Sequence, residues 1–161
     1  GFVPDLRIEK VEMAMAPNKN TKISGYYCTW VNLKKNSNCA FTNGFEDEPI
    51  PMPIAHAEGR FVTTNKSLMD ELIKNNQVVF TYCDNNGDIV DEFPVNPNGS
   101  MLNIAGICNK KGNVLAMMPH PERASFRRQL KFTQMESFKN AECHAPAIKI
   151  FESMKKYIEG D

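Results

Sequence analysis

The stretch Met118-Pro119-His120-Pro121-Glu122-Arg123 sets an imidazole and a carboxylate two residues apart, each beside a proline. Proline fixes its own φ and pushes the residue before it toward extended geometry. Met118 and His120 are therefore expected to be extended. On a backbone of period two, residues i and i+2 project to the same side, which would bring the Glu122 carboxylate against the His120 ring. Such a carboxylate fixes the tautomer and orientation of a general base, as in a triad of nucleophile, base and orienter. The bland alternative is a histidine at a strand end with a glutamate facing solvent. His56 and Glu58 repeat the His-x-Glu spacing. Two imidazoles and two carboxylates could form a metal site, though no spacing signature of a metal motif accompanies them.

The elements that must hold these residues read as an α/β domain with a mixed sheet and a final covering helix. Residues 23–33 are rich in aromatic and β-branched side chains and predict a strand, ended by Lys34-Lys35-Asn36-Ser37-Asn38. Residues 43–53, with an acidic run and Pro49, Pro51 and Pro53, predict an exposed loop, and residues 54–64 read as extended. Thr64 or Asn65 can cap a short helix over residues 66–75, where Leu68, Leu72 and Ile73 recur at helical spacing. A strand follows over residues 77–83, with a turn at Asn86-Gly87 and a return strand and loop over residues 89–98. Apolar runs at residues 104–108 and 114–118, separated by a turn containing Gly112, predict a β-hairpin that leads directly into His120. Residues 125–140 have no clean period and read as a surface segment or short helix. From residue 145 to 158, Ile148, Phe151, Met154 and Ile158 mark the apolar face of a closing amphipathic helix.

The chain of 161 residues suits one domain, and 19 basic against 19 acidic residues leave no net field to attract nucleic acid or an anionic membrane. Apolar runs fall well short of the roughly 20 residues of a membrane helix. Neither the basic start nor the apolar middle of a signal peptide is present. Five scattered cysteines without C-x-x-C spacing suggest reduced thiols, so a cytoplasmic location is expected.

Three stretches, taken in order, resemble class I glutamine amidotransferases, and within them most closely the glutaminase subunit of phosphoribosylformylglycinamidine synthase. They are residues 53–61 (PIAHAEGRF), residues 96–100 (NPNGS), and residues 104–123, which end in the His-Pro-Glu triplet. One departure is Ala57, which stands where the family pattern shows glycine and would add bulk to a loop beside the site. The resemblance implies a flavodoxin-like domain of which this chain is the C-terminal portion, with the first parallel strands of the sheet absent. It also implies that His120 is base and acid and Glu122 its orienter, and that glutamine is hydrolysed to supply ammonia for purine biosynthesis. The other role open to His56 and Glu58, in place of a metal site, is to help shape the substrate-side loop, and the plain reading beside it is a polar surface loop. No cofactor is expected in this chain. ATP and magnesium belong on the partner synthetase, which a small accessory subunit could join.

In the family the attacking cysteine sits on a glycine-flanked strand-to-helix elbow. Gly106-Ile107-Cys108-Asn109 imitates one, yet Lys110 occupies the second glycine position and a turn and another strand follow. Cys108 is therefore expected to be a buried thiol packing as a small hydrophobe. Cys28, Cys39, Cys83 and Cys143 have no elbow either. The expectation is a chain cut downstream of the nucleophile and inactive alone. The competing expectation is a non-catalytic amidotransferase-like module that binds a synthetase subunit.

Overall fold

The computed structural model describes residues 12–19, 25–130 and 144–160. Its elements run β1 (Ala14–Pro17), β2 (Tyr27–Lys35), β3 (Ile50–His56), β4 (Glu58–Val62), α1 (Lys66–Lys74), β5 (Val78–Cys83), β6 (Ile104–Cys108), β7 (Leu115–Met117) and α2 (Lys149–Glu159). The larger sheet has the order β3-β2-β5-β6-β7, while β1 pairs with β4 in a separate ribbon. The α/β class holds. Among the described residues every strand pair is antiparallel, so the parallel part of the expected mixed sheet is not represented there.

Alternation along β2 buries Val31 and Leu33, while β5 is buried without alternation from Val79 to Cys83, Phe80 and Tyr82 included. Together with Ile50, Met52 and Ile54 of β3, and Ala147 and Ile150 from the C-terminal helical segment, Val31, Leu33, Val79, Phe80 and Tyr82 form the main core. A second cluster joins Phe61 to Met69 and Leu72 of α1 and to Ile104 and Ile107 of β6. At about 25 cal/mol per Å² of apolar surface removed from water, these side chains supply most of the drive to fold.

Several boundaries differ from the sequence reading. Pro51 and Pro53 lie within β3, not in a loop, because among the described residues β3 is an edge strand paired with β2 alone, and an edge tolerates residues without an N–H. The acidic loop is correspondingly shorter. β2 runs on through Lys34 and Lys35, whose ammonium groups donate to the carbonyls of Gly87 and Phe45 at 3.1 and 2.9 Å. The return strand expected over residues 89–98 does not form, since β5 is already flanked by β2 and β6. In α1, Met69 and Leu72 are buried while Ile73 is exposed.

The closing helix is rotated from its predicted face. Pro146–Ile148 form a 3₁₀ turn with Ala147 fully buried, and this entry turns Ile150 and Ser153 inward. The Ser153 hydroxyl donates to the Asn43 carbonyl. Phe151, Met154 and Ile158 keep 36%, 37% and 74% of their surface exposed. Gly160, at φ 83°, terminates α2 in the left-handed conformation that glycine adopts without strain. The hairpin forms as expected, with β6 and β7 joined by a turn in which Gly112 has φ 68°. Residues 125–130 contain a 3₁₀ turn at Arg127–Gln129, and residues 131–140 of that segment lie outside the described residues.

Candidate active site

His120 leaves β7 in extended conformation, with φ −103° and ψ 92°. Its backbone N–H donates to the Pro53 carbonyl of β3 at 2.9 Å, and Met118 donates to Ala105 of β6 at 3.1 Å. The loop that carries His120 therefore spans from one edge region of the sheet to the other, and a proline within β3 supplies the carbonyl that anchors it. Glu122 does not continue the extended run. Pro121–Arg123 form a 3₁₀ turn, for which the fixed φ of Pro121 is suited at the first position. The turn, not a period-two strand, brings the carboxylate back: Nδ1 of His120 lies 2.7 Å from Oε1 of Glu122. That is the short spacing of a charge-assisted bond, with Nδ1–H donating. The proton on Nδ1 leaves Nε2 as the nitrogen free to take or give a proton. The pair is open to solvent, with 29% of the His120 side chain and 54% of the Glu122 side chain exposed. Arg123 Nε stands 3.6 Å from the same oxygen, a surface contact of small energetic weight.

His56 takes a different role from a surface loop residue. It is buried at the end of β3, and its Nδ1 lies 3.0 Å from Oδ1 of Asn18. The Asn18 amide donates to the carbonyls of Gly25 and His56, so its oxygen is the acceptor and His56 Nδ1 carries the proton. The ring covers Gly59, where a Cβ would overlap it, which explains the glycine in residues 53–61. Burial first, and then the charge of nearby His120, hold the His56 pKa below the ordinary histidine value. Glu58 is exposed in β4 and makes no side-chain hydrogen bond or ion pair with His56 among the described residues. Ala57 is accommodated without a left-handed φ; among the described residues only Asn76, Leu102 and Asn103 carry one outside glycine.

The stretch at residues 96–100 braces this corner. Asn98 donates to the Gly59 carbonyl at 2.9 Å, and the Ser100 hydroxyl accepts the Phe61 N–H at 3.1 Å. Gly99, at φ 77°, lies against the Lys19 carbonyl with no room for a Cβ. Asn18, which locks His56, was missed in the sequence, since an isolated asparagine ahead of a strand carries no local signal of a partner so far along the chain.

Neither buried thiol, Cys83 or Cys108, is a poised nucleophile. Cys108 is buried at the end of β6, with Sγ 3.9 Å from the Asn76 carbonyl and a turn behind it in place of a helix. Burial pushes its pKa up to about 11, and burial likewise pushes Cys83 up to about 11. Both stay protonated near neutrality, the reverse of what a thiolate needs. Cys39 is half-buried against Thr42, and Cys28 is exposed on β2. Cys143 lies outside the described residues. Among the described residues no group of three or more His, Cys, Asp and Glu side chains could hold a metal ion, and no helix is long and apolar enough to cross a membrane.

Comparison with known proteins places this geometry in a family. A subunit named phosphoribosylformylglycinamidine synthase subunit PurQ from Methanothrix thermoacetophila is 46% identical over 141 residues, covering 84% of this chain and 52% of its own length. The subunit of the same name from Methanosarcina barkeri is 43% identical over 150 residues, covering 92% of this chain and 56% of the relative. The chain thus spans about half the length of the curated relatives it matches. A solved structure titled as PurLQS from Thermotoga maritima superposes with a TM-score of 0.62 at 31% identity, over 92% of this chain and 54% of the other. The family model for the CobB/CobQ-like glutamine amidotransferase domain matches residues 1–158. A histidine whose Nδ1 proton is held by a carboxylate, on a chain matched almost end to end by that model, makes this protein a member of the CobB/CobQ-like glutamine amidotransferase domain family.

Proposed function

We propose that this chain supplies the proton-handling half of a glutaminase site belonging to phosphoribosylformylglycinamidine synthase. The observation that carries the reading is the 2.7 Å contact between His120 Nδ1 and Glu122 Oε1, at the end of the stretch that most resembles the relatives named PurQ. The thiolate comes from polypeptide outside residues 1–161, together with the first parallel strands of a flavodoxin-like sheet. It attacks the side-chain carboxamide of glutamine. His120, protonated on Nε2, gives that proton to the departing ammonia and leaves a glutamyl thioester. Neutral again, His120 takes a proton from water as the water attacks the thioester, and the thiolate is released with glutamate. Glu122 keeps the Nδ1 proton in place and stabilises the transient imidazolium. His56 and Glu58 border the substrate-side loop.

The ammonia passes to a synthetase subunit, and ATP and magnesium act there, not on this chain. A small accessory subunit completes the assembly, in the cytoplasm, within purine biosynthesis. A second reading, a non-catalytic amidotransferase-like module that docks on a synthetase, draws on the buried, protonated state of Cys83 and Cys108 and on the lack of a glycine-flanked elbow at the other cysteines. One experiment separates the two. Residues 1–161 replace the matching half of the Methanothrix relative, and glutamate release from glutamine is measured with the synthetase subunit present. The chimera is expected to release glutamate at a rate comparable with the intact relative. A folded, synthetase-bound chimera that releases none would establish the module reading in its place.

A further inference from the structure

The Glu122 carboxylate is exposed and sits on a turn of a single 3₁₀ step, so something must keep that turn from fraying. Gln129 occupies that position. Its Nε2 donates to the Glu122 carbonyl at 2.9 Å, and its Oε1 accepts the backbone N–H groups of Ser125 and Phe126 at 3.1 and 2.8 Å. The amide orientation is fixed, since reversing it would face an NH₂ toward two N–H donors and an oxygen toward a carbonyl. The Ser125 hydroxyl adds a 2.7 Å bond to the Pro121 carbonyl at the start of the same turn.

Gln129 is itself anchored. Its neighbour Leu130 is buried in the main core, and Gln129 ends the 3₁₀ turn Arg127–Gln129. Phe126 bridges to His144, and Ala145 N–H donates to the Ser125 carbonyl at 2.9 Å, which ties the segment to the entry of α2. The core thereby holds residues 125–130, and Gln129 reaches from them to the peptide that bears the Glu122 side chain. A carboxylate can choose the tautomer of an imidazole only when its backbone does not wander.

We propose that Gln129 is a positioning residue for the His120–Glu122 pair, acting through the Glu122 carbonyl, with Ser125 as a second strut. This deepens the glutaminase reading but is tested without it. The probe is the ring nitrogen spectrum of His120 in the purified 161-residue chain, uniformly labelled with ¹⁵N, at a pH where the ring is neutral. The wild-type ring is expected to carry its proton on Nδ1. Gln129→Ala removes all three bonds, and the Nδ1–H tautomer should fall at least twofold in favour of Nε2–H, the form a free histidine prefers. Gln129→Glu keeps the acceptor oxygen for Ser125 and Phe126 but sets an oxygen against the Glu122 carbonyl. It should fold and still lose the tautomer preference, so it decides the matter if the alanine variant does not fold. His56, whose Nδ1 proton is held by Asn18 at 3.0 Å, serves as the internal control and should not change. A His120 tautomer unaltered in folded Gln129→Glu would overturn the proposal whatever the chimera does. A tautomer shift with an inert chimera would overturn only the glutaminase reading.

Discussion

At the scale of single residues, two histidines on one sheet are given opposite duties by their surroundings. His120 is partly open to solvent, and its Nδ1 is bonded to a carboxylate. His56 is buried against Asn18 and Gly59, and its Nε2 has no hydrogen-bond partner among the described residues, so an added proton there would be buried without compensation. The sign of the resulting pH effect follows from the lowered pKa of His56. The unfolded chain takes up a proton near the ordinary value of about 6.5, while the folded chain resists, so stability falls as pH drops through that value. Thermal melts at pH 7.5 and 5.5 should show a smaller acid-induced loss in His56→Asn than in the wild type, because asparagine can still donate to Asn18 without titrating. An equal loss in both would remove His56 as the cause. The histidine and glutamate at 120 and 122 were legible in the sequence because prolines on both sides restrict the backbone. The route by which they meet was not: Pro121 is compatible with a strand and with a 3₁₀ turn alike, and only the tertiary ties from Ser125 and Gln129 select the turn.

At the scale of elements, hydrophobic spacing identified strands and helices well and helix faces less well. The β6–β7 hairpin follows from its apolar runs and Gly112, and β5 from its β-branched and aromatic content. α2 illustrates the limit. Its apolar stripe Phe151, Met154 and Ile158 has helical period, but the row docked on the core runs through Ala147, Ile150 and Ser153. With Ala147 and Ser153 on either side of Ile150, that row carries little hydrophobic signal, although the buried hydroxyl finds its carbonyl partner. Ile150→Ala should therefore cost about 2–5 kcal/mol in chemical denaturation of the chain. Phe151→Ser should cost under about 1 kcal/mol, in line with a partly exposed site. Reversed magnitudes would show that the helix docks through its apolar stripe. Prolines misled in the same manner at β3, where edge position, a property of the whole sheet, decides that Pro51 and Pro53 are tolerated.

At the scale of the molecule, the sheet and its two apolar clusters serve to bring distant pieces of chain to one corner. β3 contributes His56 and the Pro53 carbonyl, the β6–β7 hairpin delivers His120, residues 96–100 support Gly59, and the segment before α2 holds Glu122. The family membership explains why these pieces converge, and Cys83 and Cys108, buried and held protonated, supply no nucleophile to the corner. The central claim is that His120 and Glu122 act as base and orienter toward a thiolate brought by other polypeptide. The most direct measurement is steady-state glutamate release by the chimera carrying Glu122→Gln, compared with the unsubstituted chimera. A fall in kcat on the order of 10²–10⁴ with KM little changed is predicted, the size expected when an orienter no longer holds the correct tautomer. A kcat within about threefold of the unsubstituted chimera would contradict the account.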